Sequence, residues 1–164
     1  MRSRVRAAGH AVHPILIVFP LGLLTTAVGF DVLYLITSRT SFAFTAAHLV
    51  FAGVLMGVVT AATGWLDWFL VTPQGSRARR IGLLHGLVNA VVLVLFAVSW
   101  TLRLAVQDWI PSWPALVAAW LGVLAAGLGG WLGGELVERL GISVDEDANP
   151  DAPSSLRGVA ASGR

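Results

Sequence analysis

Residues 81–102 read IGLLHGLVNAVVLVLFAVSWTL, a run of twenty-two positions without a carboxylate, a lysine or an arginine. A helix rises 1.5 Å per residue, so this run is long enough to cross the ~30 Å hydrocarbon core of a bilayer. Working outward from it, Ile15 to Leu35, Ala46 to Leu66 and Ala115 to Leu136 are runs of similar length and character. The pattern predicts an all-α protein, a four-transmembrane-helix bundle integral to the lipid bilayer. Composition agrees: 56% of the 164 residues are hydrophobic and only 12% charged, about half the charge of an ordinary soluble domain.

The eleven basic residues are all arginine. They gather in the amino-terminal tail (Arg2, Arg4, Arg6) and in one loop (Arg77, Arg79, Arg80), without the basic helix face or aromatic interleaving that nucleic acid requires. Instead they orient the chain. Arginine-rich segments stay on the inner side of a bacterial plasma membrane, which predicts an inner-membrane, multi-pass protein with both termini cytoplasmic. The expected parts are a basic tail over residues 1–12, a membrane domain over 13–141 and a disordered cytoplasmic tail over 142–164, where small, polar and acidic residues replace apolar periodicity. The first run lacks a small-x-small cleavage site and reads as a retained span. No cysteine is present, which excludes disulfides, thiolate metal sites, iron–sulfur clusters built from this chain and covalent c-type haem.

Small residues mark where helices meet: Gly53, Gly57, Ala61 and Gly64 in the second span, and Gly122, Ala126, Gly130 and Gly134 in the fourth. Gly129, Gly130, Gly133 and Gly134 make the fourth span denser in glycine than helix contact alone requires; close packing is the first reading, with room for a flat cofactor or a loosened helix end as the alternatives. Trp65, Trp68, Trp100, Trp109 and Trp113 fall near the expected interfaces and read as belt residues.

Polar side chains inside spans are costly, so they are where function should show. Alternating span direction brings His13, Asp67, His85 and Glu135 to the cytoplasmic side and Asp31, His48 and Arg103 to the other. His13 and Asp31 are eighteen residues apart, as are His85 and Arg103, and eighteen steps of ~100° return to one helix face. Spans one and three then present two histidines to each other at one end and a structural ion pair, Asp31 with Arg103, at the other. Two imidazoles at similar depth are an axial ligand set for a b-type haem. Asn89 lies one turn beyond His85 and can orient a ring nitrogen or a quinone carbonyl. Arg79, with Arg77 or Arg80, can hold propionates, and His10 competes with His13 as ligand. The same region offers His13, His85, Asp67 and Glu135 as a mixed site for zinc or another divalent metal. A proton relay or non-redox transporter would use Asp67, His85 and Glu135. The plain structural alternative has His13 capping its helix before Pro14, and His85 bonding Asp67, in a subunit of a larger complex or a homo-oligomer. His48 lacks a histidine partner, which argues against a second haem. No nucleophile motif or phosphate loop is present.

Taken in order, His13-Pro14, Phe19-Pro20-Leu21-Gly22, Asp31, Gly64-x-x-Asp67, Arg79, His85-x-x-x-Asn89 and Gly130-x-x-Gly133-Gly134 resemble a bacterial family of membrane proteins, domain of unknown function 2231, over about residues 10 to 145. The resemblance implies four spans. Some relatives join this unit to a Rieske iron–sulfur domain, so it also implies electron transfer, for which this chain would need a separate redox protein as partner. Glu135 stands where relatives often have an apolar residue.

Overall fold

The computed structural model describes residues 1–155. The first span is α1 (Val12–Leu16) followed by α2 (Val18–Thr37). The second is α3 (Thr40–Val71), the third α4 (Arg77–Leu104), and the fourth α5 (Trp113–Gly134) with a closing π-helical turn, Glu135–Arg139. Four helices are thus long and apolar enough to cross a membrane, and the architecture is the four-span bundle that the hydropathy predicts. The helices overrun the apolar runs; α3 has 32 residues, because a backbone leaving hydrocarbon keeps its hydrogen bonds internal until water can replace them. The first span breaks at Ile17, where Pro20 lacks the N–H that would donate to the Leu16 carbonyl.

Short connections make consecutive spans antiparallel. Ser38 adopts a left-handed conformation (φ 54°) and its N–H donates to the Tyr34 carbonyl at 2.8 Å, which turns the chain within two residues. Between α3 and α4, Gly75 takes φ 73° and the Ser76 hydroxyl caps α4 by accepting from the Arg79 N–H at 3.1 Å. Each span packs on the next and α5 returns to α2. Their common core holds Leu24, Ala27, Val50, Val92, Phe96 and Ala119.

Glycines set the approach distances in part of this core. A Cβ on Gly53 would lie 2.6 Å from Leu24 Cδ2, and one on Gly122 would lie 2.7 Å from Phe96 Cε2. The lower half of the expected stripe in α5 differs: Gly130 and Gly134 face open space, while Gly129 and Gly133 approach Asn89 and His85 on α4. The reason is rotational. Twelve residues from Gly122 to Gly134 turn the side-chain direction by about 120°, whereas steps of seven and eleven return within about 20°.

At one end of the bundle the two oxygens of Asp31 on α2 accept from Arg103 Nη1 and Nη2 on α4, both at 2.7 Å, and both side chains are fully buried. Arg103 Nη2 also donates to Ser99 Oγ at 3.2 Å, and that hydroxyl donates to the Ala115 carbonyl on α5 at 2.7 Å. One polar knot therefore ties three spans. His48 lies near this end, against Phe44 and Trp109.

The opposite end is closed by the chain's two tails. A two-stranded hairpin, β1 (Arg6–Ala7) with β2 (His10–Ala11), precedes α1. Asp145 accepts from Arg6 Nη1 at 2.8 Å and pairs with Arg2 Nε at 3.1 Å, and the Ser143 N–H donates to the Met1 carbonyl at 2.9 Å. Disorder is expected from residue 142 onward; these contacts tie residues 143 and 145 to the amino-terminal segment, and residues 156–164 lie outside the described residues.

Candidate functional site

The tail-capped end of the bundle contains a cavity of about 370 Å³ that extends along α4 from Gly82 past His85 and Asn89 to Phe96. From His85 to Phe96 the helix rises roughly 16 Å, so the cavity runs from the polar end toward the middle of the spans. His13, from α1, and His85, from α4, face each other across it. Their ring centres are 6.4 Å apart and their planes are near perpendicular, at 82°.

Each imidazole is anchored by one nitrogen to a third helix. His13 Nδ1 lies 3.0 Å from the Thr60 carbonyl on α3, and His85 Nδ1 lies 2.9 Å from the Gly129 carbonyl on α5. A carbonyl only accepts, so each Nδ1 carries the proton and the lone pair resides on Nε2. No hydrogen bond reaches His13 Nε2 among the described residues. Asn89 donates through Nδ2 to the His85 carbonyl at 2.8 Å and places the same amide 3.4 Å from both ring nitrogens of His85. Glycines make the rings fit: a Cβ on Gly64 would stand 2.8 Å from His13 Cε1, and one on Gly133 would stand 3.2 Å from His85 Cε1.

Asp67 also lines the cavity, but it and Glu135 are engaged by other partners. Asp67, buried, accepts from Ser3 Oγ at 2.5 Å and from the Arg4 and Val5 N–H groups at 3.0 and 3.2 Å. It thus caps the amino-terminal segment and does not bond His85; three donors on one carboxylate satisfy it without a histidine. Glu135 pairs with Arg77 at 2.5 Å. Among the described residues no three His, Asp or Glu side chains form a metal-binding group, so His13, His85, Asp67 and Glu135 do not assemble the expected mixed site. His10 is exposed in β2, with Nδ1 3.2 Å from the Ala8 carbonyl, and does not line the cavity.

Arg79 is held away from the cavity. Its guanidinium lies 4.1 Å over the Trp68 ring and donates to the Thr72 carbonyl at 3.1 Å, which satisfies an orphan acceptor at the end of α3. Trp65 and Trp68 likewise differ from belt residues: they are half-buried and fill notches at Gly86 and Gly82 on α4, and Trp68 Nε1 donates to the Arg79 carbonyl at 2.9 Å. The four-residue spacing of Gly82 and Gly86 is the sequence signal for that packing. Thr60, Ser3 and the Gly129 carbonyl carry no such signal, since two act through the main chain and the third lies 64 residues from its partner.

Residues 9–146 match the family model described as a predicted membrane protein, DUF2231. No curated protein and no solved structure matches the chain.

Proposed function

Because the chain belongs to the predicted membrane protein family of domain of unknown function 2231, whose description assigns no reaction, we propose a function from its own residues: a membrane electron carrier that holds a b-type haem between His13 and His85. The observation that carries this reading is the pair of imidazoles 6.4 Å apart, each turned by a carbonyl so that its lone pair is on Nε2. Through these nitrogens His13 and His85 would hold the iron, at metal–imidazole distances of about 2 Å. The anchoring carbonyls of Thr60 and Gly129 act as the outer partners that fix a ligand's tautomer and raise its basicity. Gly64 and Gly133 admit the two rings, and the remaining lining is largely apolar. Bound haem supplies a reversible one-electron couple.

Neither a four-ligand zinc site nor a relay through Asp67 and Glu135 has comparable support, because both carboxylates are committed to the amino-terminal segment and to Arg77. The protein produced with ample haem is expected to show, on dithionite reduction, the sharp visible bands of six-coordinate low-spin haem. His85→Ala and His13→Ala should each abolish the low-spin spectrum, and His10→Ala should leave it intact. Colourless protein with near one zinc per chain would overturn the haem reading.

A further inference from the structure

The exposure of the cavity wall is one-sided. Every cavity-lining residue of α3 and α4 is buried or half-buried, including Thr60, Gly64, His85, Asn89 and Phe96. The exposed lining residues lie only on the first span (Pro14, Leu21, Thr25) and on the fourth (Gly130, Val137). Those two spans pack on each other. Leu21 is 51% exposed although it lines the cavity, and a Cβ on Gly130 would meet nothing.

The tail end is closed differently. Asp67 holds the amino-terminal segment through three hydrogen bonds; of the lining residues Ile142 and Ser143, the first donates its N–H to the Leu136 carbonyl and the second to the Met1 carbonyl. Within the spans the surface on which Leu21 and Thr25 emerge is lipid, not water. His13, His85, Asn89 and Asp67 sit toward the capped end, and the wall beyond them toward Phe96 is apolar apart from Thr25 and Thr60, whose hydroxyls are turned onto carbonyls of their own helices. A molecule that fits this gradient is flat, with a polar head and an apolar body.

We infer that the cavity is loaded sideways from the bilayer, through an opening between α2 and α5, and that its occupant is a flat, membrane-dissolved amphiphile. The inference rests on the His13–His85 cavity being the functional site; of such amphiphiles, haem b is the one the ligand set favours. Nothing in the route requires the tails to move.

The test uses Gly130→Phe, which adds a ring at a lining position where a Cβ meets nothing, and Asp145→Asn, which removes the carboxylate that pairs the tails. In vesicles, a photoreactive aryl diazirine dissolved in the bilayer should label cavity residues Leu24 and Asn89 in the parent. Gly130→Phe should reduce that labelling at least tenfold while leaving labelling of the lipid-facing Leu124 unchanged, and Asp145→Asn should have no effect. Haem preloaded into the same vesicles should reach the apoprotein with the same dependence. Labelling of Leu24 and Asn89 that ignores Gly130→Phe and rises with Asp145→Asn would overturn the inference in favour of access past the tails. Diazirine results as expected with no haem uptake would instead retain the opening and overturn haem as the occupant.

Discussion

Arg103 and Asp31 show how a charge survives inside a span. Both are fully buried, and the bidentate geometry at 2.7 Å satisfies four polar atoms in one contact. Removing one partner strands the other, so Arg103→Ala should lower stability by about 3–5 kcal/mol, whereas Asp31→Asn with Arg103→Gln should recover much of the loss. Thermal unfolding in detergent measures both, and an unchanged midpoint for Arg103→Ala would refute the burial argument. Asp145 behaves differently because it lies in water. The Arg6 hydrogen bond, aided by Arg2, lowers its pKa below the ordinary carboxylate value. A lowered folded-state pKa contributes stability above the unfolded value, about 4, and that contribution is lost as pH falls through the folded value. Hydrogen exchange at the Ser143 amide should therefore be faster in Asp145→Asn than in the parent at pH 7, and the difference should shrink as pH falls below about 4 and vanish once the parent's carboxylate is protonated. A persistent difference at acid pH would mean that the carboxylate does not hold the tails. The Asp31–Arg103 pair was legible in two equal spacings along helices, because helical periodicity projects sequence onto a face. The partners of Asp67 were not legible: an extended segment has no periodicity that points to a carboxylate 64 residues away.

The register of α5 separates glycines that touch from glycines that do not. Gly122 meets the buried Phe96 ring, so Gly122→Ala forces displacement of a packed aromatic and should cost about 1–3 kcal/mol. Gly130→Ala meets open space and should be neutral or slightly stabilising, since alanine is the better helix former. Comparing the two unfolding midpoints in one detergent checks the assignment, and equal losses would show that the stripe is uniform. The small residues are legible in the sequence, but the four-residue spacing puts Gly130 and Gly134 in the interface only if the helix phase holds, and repeats of four drift off a helix face over three turns. The histidines were legible as polar groups inside apolar runs. Their anchors were not, since the acceptors are main-chain carbonyls of Thr60 and Gly129, which every residue type offers equally.

Over the whole molecule, four spans put the amino-terminal segment and the described residues after the fourth span on one side, where Asp145 joins them through Arg2 and Arg6. The same end carries the α3–α4 loop with Arg77, Arg79 and Arg80, and Arg139 after α5. The far end has Arg39 and the buried Arg103, whose charge is neutralised by Asp31. Positive charge near span ends resists translocation, so the tail-capped end, and with it the His13–His85 cavity, should face the cytoplasm. Reporter fusions in a bacterial plasma membrane after Gly75 and after the last residue should score cytoplasmic, and a fusion at Asp108 should score outside. Replacing Arg77, Arg79 and Arg80 by Ala should weaken this preference, producing mixed signals at Asp108. The reverse pattern in the parent would place the histidines at the outer surface, and cytoplasmic scores at both Gly75 and Asp108 would contradict the third span itself.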